Sequence, residues 1–133
     1  MIIFTSNQSE KKMKITKVIE IDPDGIGIHD PGAKVDAGKI RVGLMFKGFP
    51  RALLKVAEVV TFGAEKYSPL GFLSVQNAVD RYDDAKGRHI LNGYIEDLDT
   101  DSNLTHMAHE AWNALAKLEC RLRSVEEEGK NVL

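Results

Sequence analysis

Two histidines, a glutamate and an asparagine recur within residues 106–113, HMAHEAWN. A helix turns by about 100° per residue. His106, His109, Glu110 and Asn113 therefore share one arc, and Ala108, Ala111, Trp112, Leu115, Leu118 and Leu122 fall on the opposite one. The apolar arc belongs in a core. Imidazole and carboxylate at this spacing can hold a metal ion, with the asparagine as a neutral oxygen ligand. The same arc also suits a solvated polar face.

Other segments carry related chemistry. His89, Asn92 and Glu96 form a stripe on a second helical pattern, with Arg88 beside them. Glu58 and Glu65 share a helix face with Leu54 and Phe62. A carboxylate among apolar neighbours needs a partner, which a divalent cation or the nearby Lys55 or Lys66 could supply. The run EDLDTD at 96–101 resembles a hard-cation site, without the glycine and glutamate positions of an EF-hand. In VDAGKIRVG, residues 35–43, Asp36, Lys39 and Arg41 flank a glycine. Lys and Arg so placed can hold phosphate oxygens, or decorate a turn. The chain has no GxxxxGK[ST] loop, no GxGxxG and no local motif of a serine or cysteine nucleophile.

Three helices must position these groups. Pro50 suits a first helical position, and Leu53, Leu54, Val56, Ala57, Val60 and Ala64 make an apolar stripe through 50–67. Ser74 is a candidate cap for a helix over 74–94, and Ser102 or Thr105 caps a third reaching about residue 125. The Gly- and Asp-rich segment 22–32 reads as a loop, and 14–22 as a strand or an extended arm. The domain reading is an irregular N-terminal arm over 1–33 and a helical domain over 34–133.

The 133 residues fit one domain, 43% apolar and 29% charged. With 18 basic and 20 acidic side chains the net charge is -2, which argues against general nucleic-acid binding. One cysteine, Cys120, excludes an internal disulfide and a cysteine-based zinc site. No secretory signal or membrane span is legible, so the expectation is a cytoplasmic protein. Three amphipathic helices on a short chain bury their stripes poorly alone, which favours a homo-oligomer.

DAGKIR (36–41), LLKVAEVVTFGAEKY (53–67), RH (88–89), EDLDTDSNLTH (96–106) and HEAWNAL (109–115) together resemble the phage and bacterial dATP/dGTP diphosphohydrolase family. That family is similar to the MazG-type all-α nucleotide pyrophosphohydrolases. The resemblance spans roughly residues 34–122. It implies an all-α helical bundle, commonly oligomeric, that holds Mg²⁺, with Mn²⁺ as the alternative. A purine deoxynucleoside triphosphate would be cut to monophosphate and pyrophosphate. The resemblance implies Glu65, Glu96, Asp99 and Glu110 as metal ligands. It implies Glu65, His109 and Glu110 in catalysis. Asp36, Lys39, Arg41, His89, His106 and Asn113 would touch substrate. Asn113 stands where the MazG-type pattern has aspartate, so the alternative function is a nucleotide-binding protein with weak or no turnover.

Overall fold

The computed structural model describes residues 4–5, 14–15 and 20–130. Backbone contacts divide the chain into two compact units, Met1–Leu44 and Met45–Leu133. Among the described residues four α-helices carry the architecture: α1 (Val42–Gly48), α2 (Pro50–Lys66), α3 (Ala78–Gly93) and α4 (His106–Lys130). The fold is an all-α helical bundle. Two-residue strands, β1 (Phe4–Thr5) and β2 (Lys14–Ile15), pair antiparallel with Phe4 opposite Ile15. Among the described residues of 14–22 the strand is Lys14–Ile15; residues 16–19 lie outside the described set.

In the N-terminal unit one carboxylate organises the loop. Asp22 is buried, with Oδ1 accepting the amides of Asp24 at 2.8 Å and Ile26 at 3.2 Å. Its Oδ2 accepts the Lys34 amide at 2.7 Å, across twelve residues. Gly25 makes the turn at φ +78°, where a side chain would be strained. Lys39 pairs with Glu20 at 3.3 Å, and Asp36 closes a turn by accepting the Lys39 amide at 3.0 Å. The carbonyl of Arg41 accepts the Leu44 amide at the start of α1.

In the second unit, α2 starts at Pro50, as its missing N–H allows. It ends before Ser68-Pro69, because the residue ahead of a proline is pushed out of helical geometry. The helix expected over 74–94 is broken. A short 3₁₀ turn covers Gly71–Ser74, Val75 is extended, and α3 starts only after Asn77, which sits at φ +53°. Ser74 ends the turn and makes no cap. The break has a tertiary cause. The Phe72 carbonyl accepts the Tyr82 hydroxyl at 3.1 Å, and the Phe72 ring meets Trp112 edge-on at 5.6 Å. The turn is thereby pinned between α3 and α4. Cys120 is half-buried, its thiol 3.8 Å from the same carbonyl, and burial pushes its pKa up.

Thr105 rather than Ser102 caps α4, its Oγ1 accepting the Ala108 amide at 3.2 Å. The 94–105 connection is folded back on itself. Asp99 donates its amide to Leu104 at 2.8 Å, and His106 donates its own to Asp97 at 2.9 Å. Lys117 on α4 reaches Asp83 on α3 at 2.7 Å. No helix among the described residues is long and apolar enough to cross a membrane.

The Asp22 carboxyl lies below its ordinary range, chiefly because the Lys34 amide donates to the charged form; burial opposes this, and the Ile26 and Asp24 amides reinforce it. A depressed carboxyl stabilises the fold at neutral pH, and that contribution is lost as acid titrates the folded group. Asp22→Ala should therefore speed hydrogen exchange at the Asp24, Ile26 and Lys34 amides at neutral pH. In the native protein the Lys34 amide resonance should move toward its unbonded position only on acidification below the ordinary carboxylate range. Unchanged exchange in the variant would show that the loop holds without this carboxylate.

Candidate functional site

The last two turns of α3, the 94–105 connection and the first turns of α4 bring three imidazoles together. The His89 and His106 rings face each other through their Nδ1 atoms, 2.9 Å apart. The His109 ring stacks on His89 with centroids 4.5 Å apart and planes within 9° of parallel. Phe62 of α2 closes the outer side of His109 edge-on at 6.3 Å. His106 is 2% exposed and His109 7%.

Ser102 fixes the orientation of His109. Its Oγ lies 2.6 Å from His109 Nε2, 3.0 Å from Asp99 Oδ2 and 3.2 Å from the Leu104 amide. A hydroxyl has one proton and two lone pairs. The Leu104 amide can only donate and the Asp99 carboxylate can only accept. The Ser102 proton therefore goes to Asp99, and His109 Nε2 must carry a proton that it gives to Ser102. The Ser102 amide also donates to Asp99 Oδ2, at 2.9 Å. Burial raises the Asp99 carboxyl, but the two Ser102 bonds outweigh it and hold the group below its usual range. Burial pushes the His89 and His109 pKa values down, with the neighbouring imidazoles adding to the effect and Asp99 opposing it. Both rings are thus kept neutral, with a lone pair available.

Asn113 is 3% exposed and donates Nδ2 to the His109 carbonyl at 2.8 Å, one turn back along α4. It locks the helix that carries the histidines. Glu96 Oε1 stands 3.9 Å from His106 Nε2. That nitrogen is buried and has no hydrogen-bond partner among the described residues. His89, Asp99 and His106 each offer a ligand atom, all within 4.8 Å of one another, and could hold a divalent metal ion. Glu65 and Glu110 belong to no such group among the described residues. Glu65 lines a separate depression with Glu58 and Ser102, where Glu58 is paired with Lys55 at 3.0 Å. Asp36, Lys39 and Arg41 belong to the N-terminal unit.

Beside the imidazoles opens a cavity of about 560 Å³ within the helical unit. Phe72, Tyr82 and Trp112 form an aromatic cluster in its lining, with Arg81 next to Tyr82 on α3, and the imidazole end carries Arg88, His89, Asp99 and His109. Lys66 at the rim is tied to Asp101 at 2.6 Å. Arg88 is exposed at the cavity and carries no hydrogen bond or ion pair among the described residues. Ser102 was legible only as a cap. Its signal is the D-x-x-S spacing from Asp99, which favours a side-chain-to-backbone turn just ahead of a helix carrying histidine.

A family model described as dATP/dGTP diphosphohydrolase, N-terminal, matches residues 29–130 of the chain. No curated protein and no solved structure matches it.

Ser102→Ala removes the acceptor of a buried imidazole N–H and one donor to Asp99. An orphaned buried polar group costs about 1–3 kcal/mol. Urea unfolding of the variant should show a loss of that size. A loss confined to a few tenths would show that water replaces the hydroxyl.

Proposed function

The chain belongs to the dATP/dGTP diphosphohydrolase family, a family of hydrolases, and from that premise we propose that its helical unit hydrolyses purine deoxynucleoside triphosphates to monophosphate and pyrophosphate. The observation that carries the reading is the two-ended cavity. An aromatic end of Phe72, Tyr82 and Trp112 suits a nucleobase, and an end with unpaired arginine and neutral imidazole suits phosphate and an attacking water. Its volume, about 560 Å³, is that of a small-molecule site.

The substrate is the triphosphate with Mg²⁺ on its phosphate oxygens. A divalent ion there neutralises phosphate charge and draws electrons from phosphorus. Arg88 pairs with phosphate oxygens, since no carboxylate among the described residues competes for it. His109 gives its Nε2 proton to Ser102, which leaves Nδ1 unprotonated as a base. Water attacks the α-phosphorus as His109 takes its proton. The new bond joins water oxygen to phosphorus, the α–β bridging bond breaks, and pyrophosphate leaves with the electron pair. Asp99 acts through Ser102 to keep His109 in this tautomer.

The working form is a homo-oligomer held in the cytoplasm. Val59, Ala108 and Ala116 are the buried apolar residues among those described. Leu115, Leu118, Leu122 and Val125 of α4 remain about half exposed at helical spacing. Such a stripe needs a cover, and a second copy of the chain supplies one. Light scattering should give at least twice the 14.8 kDa chain mass; a monomer would overturn this part of the reading.

Incubation with dATP, dGTP and pyrimidine controls plus Mg²⁺, followed by chromatography, tests the activity. Monophosphate and pyrophosphate from the purines are expected. Arg88→Met should lower kcat/KM by roughly 10²–10³, the usual effect of deleting one preorganised charge donor. Diphosphate with orthophosphate would indicate a different phosphohydrolase. Tight binding without turnover would leave a nucleotide-binding protein.

A further inference from the structure

We infer that His89, His106 and Asp99 form a resident transition-metal site, with Nδ1 of each histidine and Oδ1 of the aspartate as ligands, that takes Mn²⁺, Co²⁺, Zn²⁺ or Fe²⁺ in preference to Mg²⁺. The inference needs the geometry of this group alone and stands apart from nucleotide turnover.

The geometry begins with the facing nitrogens. The two Nδ1 atoms lie 2.9 Å apart. A metal about 2.0–2.1 Å from each imidazole nitrogen sets neighbouring ligand atoms roughly 3 Å apart. The rings therefore already stand at the separation of adjacent ligands. Asp99 is held for the same purpose. Both of its Ser102 bonds fall on Oδ2, which leaves Oδ1 for the ion.

As the atoms stand, neither neutral tautomer of His106 is fully satisfied. Two neutral rings can share one proton between their Nδ1 atoms. If His106 accepts it, its Nε2 carries a buried hydrogen with no acceptor. If His106 donates it, its Nε2 is a buried lone pair with no donor. Either way the nitrogen is orphaned in a residue 2% exposed. An ion on both Nδ1 atoms fixes one tautomer on both rings. Each ring then carries its hydrogen on Nε2, and that of His106 is directed to the Glu96 carboxylate, now 3.9 Å away on a half-exposed side chain free to close the gap. A carboxylate on the outer nitrogen of a metal-bound histidine is the common supporting arrangement. His109 adds to it, stacked on His89 and fixed in turn by Ser102.

The donor set decides the class of ion. Mg²⁺ demands oxygen ligands and near-octahedral geometry, whereas imidazole suits the borderline transition ions. Two histidines and one carboxylate also leave coordination positions open. His89 and Asp99 both line the cavity, so those positions face a bound molecule.

The test uses Co²⁺ and Mn²⁺ on chelator-stripped full-length protein, with no nucleotide present. Visible d–d absorption should saturate at a single Co²⁺ per chain and persist under a large excess of Mg²⁺. Pulsed electron paramagnetic resonance of the Mn²⁺ form should show imidazole nitrogen couplings. His89→Gln should abolish both signals. Glu96→Gln should weaken Co²⁺ binding by roughly 10–100-fold while keeping the bands. Wild-type protein without nitrogen couplings, or with Co²⁺ displaced by Mg²⁺, would overturn the inference. Wild-type affinity in a His89→Gln variant with unchanged circular dichroism would do the same. Nitrogen couplings in a protein that turns over no nucleotide would sink the hydrolase reading and leave the metal site standing.

Discussion

Removing imidazoles from water is the constraint on which the helical unit depends. Each ring presents two nitrogens, and each nitrogen must find a partner once buried. His106 and His109 lie near the start of α4 with almost no solvent access, and His89 packs against both. The surrounding structure is arranged around those six nitrogens. Ser102 meets one of them and the facing Nδ1 pair accounts for two more. The connection between α3 and α4 folds back to bring Asp99 and Ser102 to the rings, held by Asp99–Leu104 and His106–Asp97 backbone bonds. An acidic stretch that could have been a solvated linker is thereby an ordered part of the site. Burial pushes the pKa values of His89 and His109 down, and that favours the lone pair that a ligand or a base needs.

The aromatic end of the cavity solves a different packing problem. Trp112 receives Phe72 and Tyr82 edge-on at 5.6 and 5.5 Å. These contacts fasten the 71–74 turn to the helices without filling the space beside it. Small residues dominate the buried apolar set, namely Ala108, Ala116 and Val59. The larger leucines of α4, Leu115, Leu118 and Leu122, remain about half exposed.

Much of this was legible in the residue pattern, for reasons that differ by segment. The start of α2 and the long α4 follow from proline chemistry and an unbroken apolar period, both local signals. The polar arc of α4 also follows from spacing, and the structure brings His106 and His109 together with His89 and Asp99. The break before α3 was not legible, because it rests on the Tyr82 hydroxyl and the Trp112 ring reaching the turn from distant positions. Helix α1 has too few residues to show a period. Asn113 reads as a ligand in the pattern; in the fold its amide donates to the helix backbone, as short polar side chains often do. Glu65 illustrates the limit of a helical wheel. The wheel gives its face on α2, but which neighbour that face meets depends on how the helices pack, and it meets the depression that also holds Ser102.

The histidines that face each other through Nδ1 are only seventeen residues apart in the chain. Closing so short a loop is entropically inexpensive, and contacts of low sequence separation form early in folding. The group is therefore carried almost whole by one contiguous helix–loop–helix segment, α3 through the first turns of α4, with Phe62 the notable contribution from outside. Such a segment has the short-range contacts of a cooperative unit, and Phe62 and the Lys66–Asp101 pair fasten it to α2. It is also a module that recombination could move between chains without dividing its chemistry.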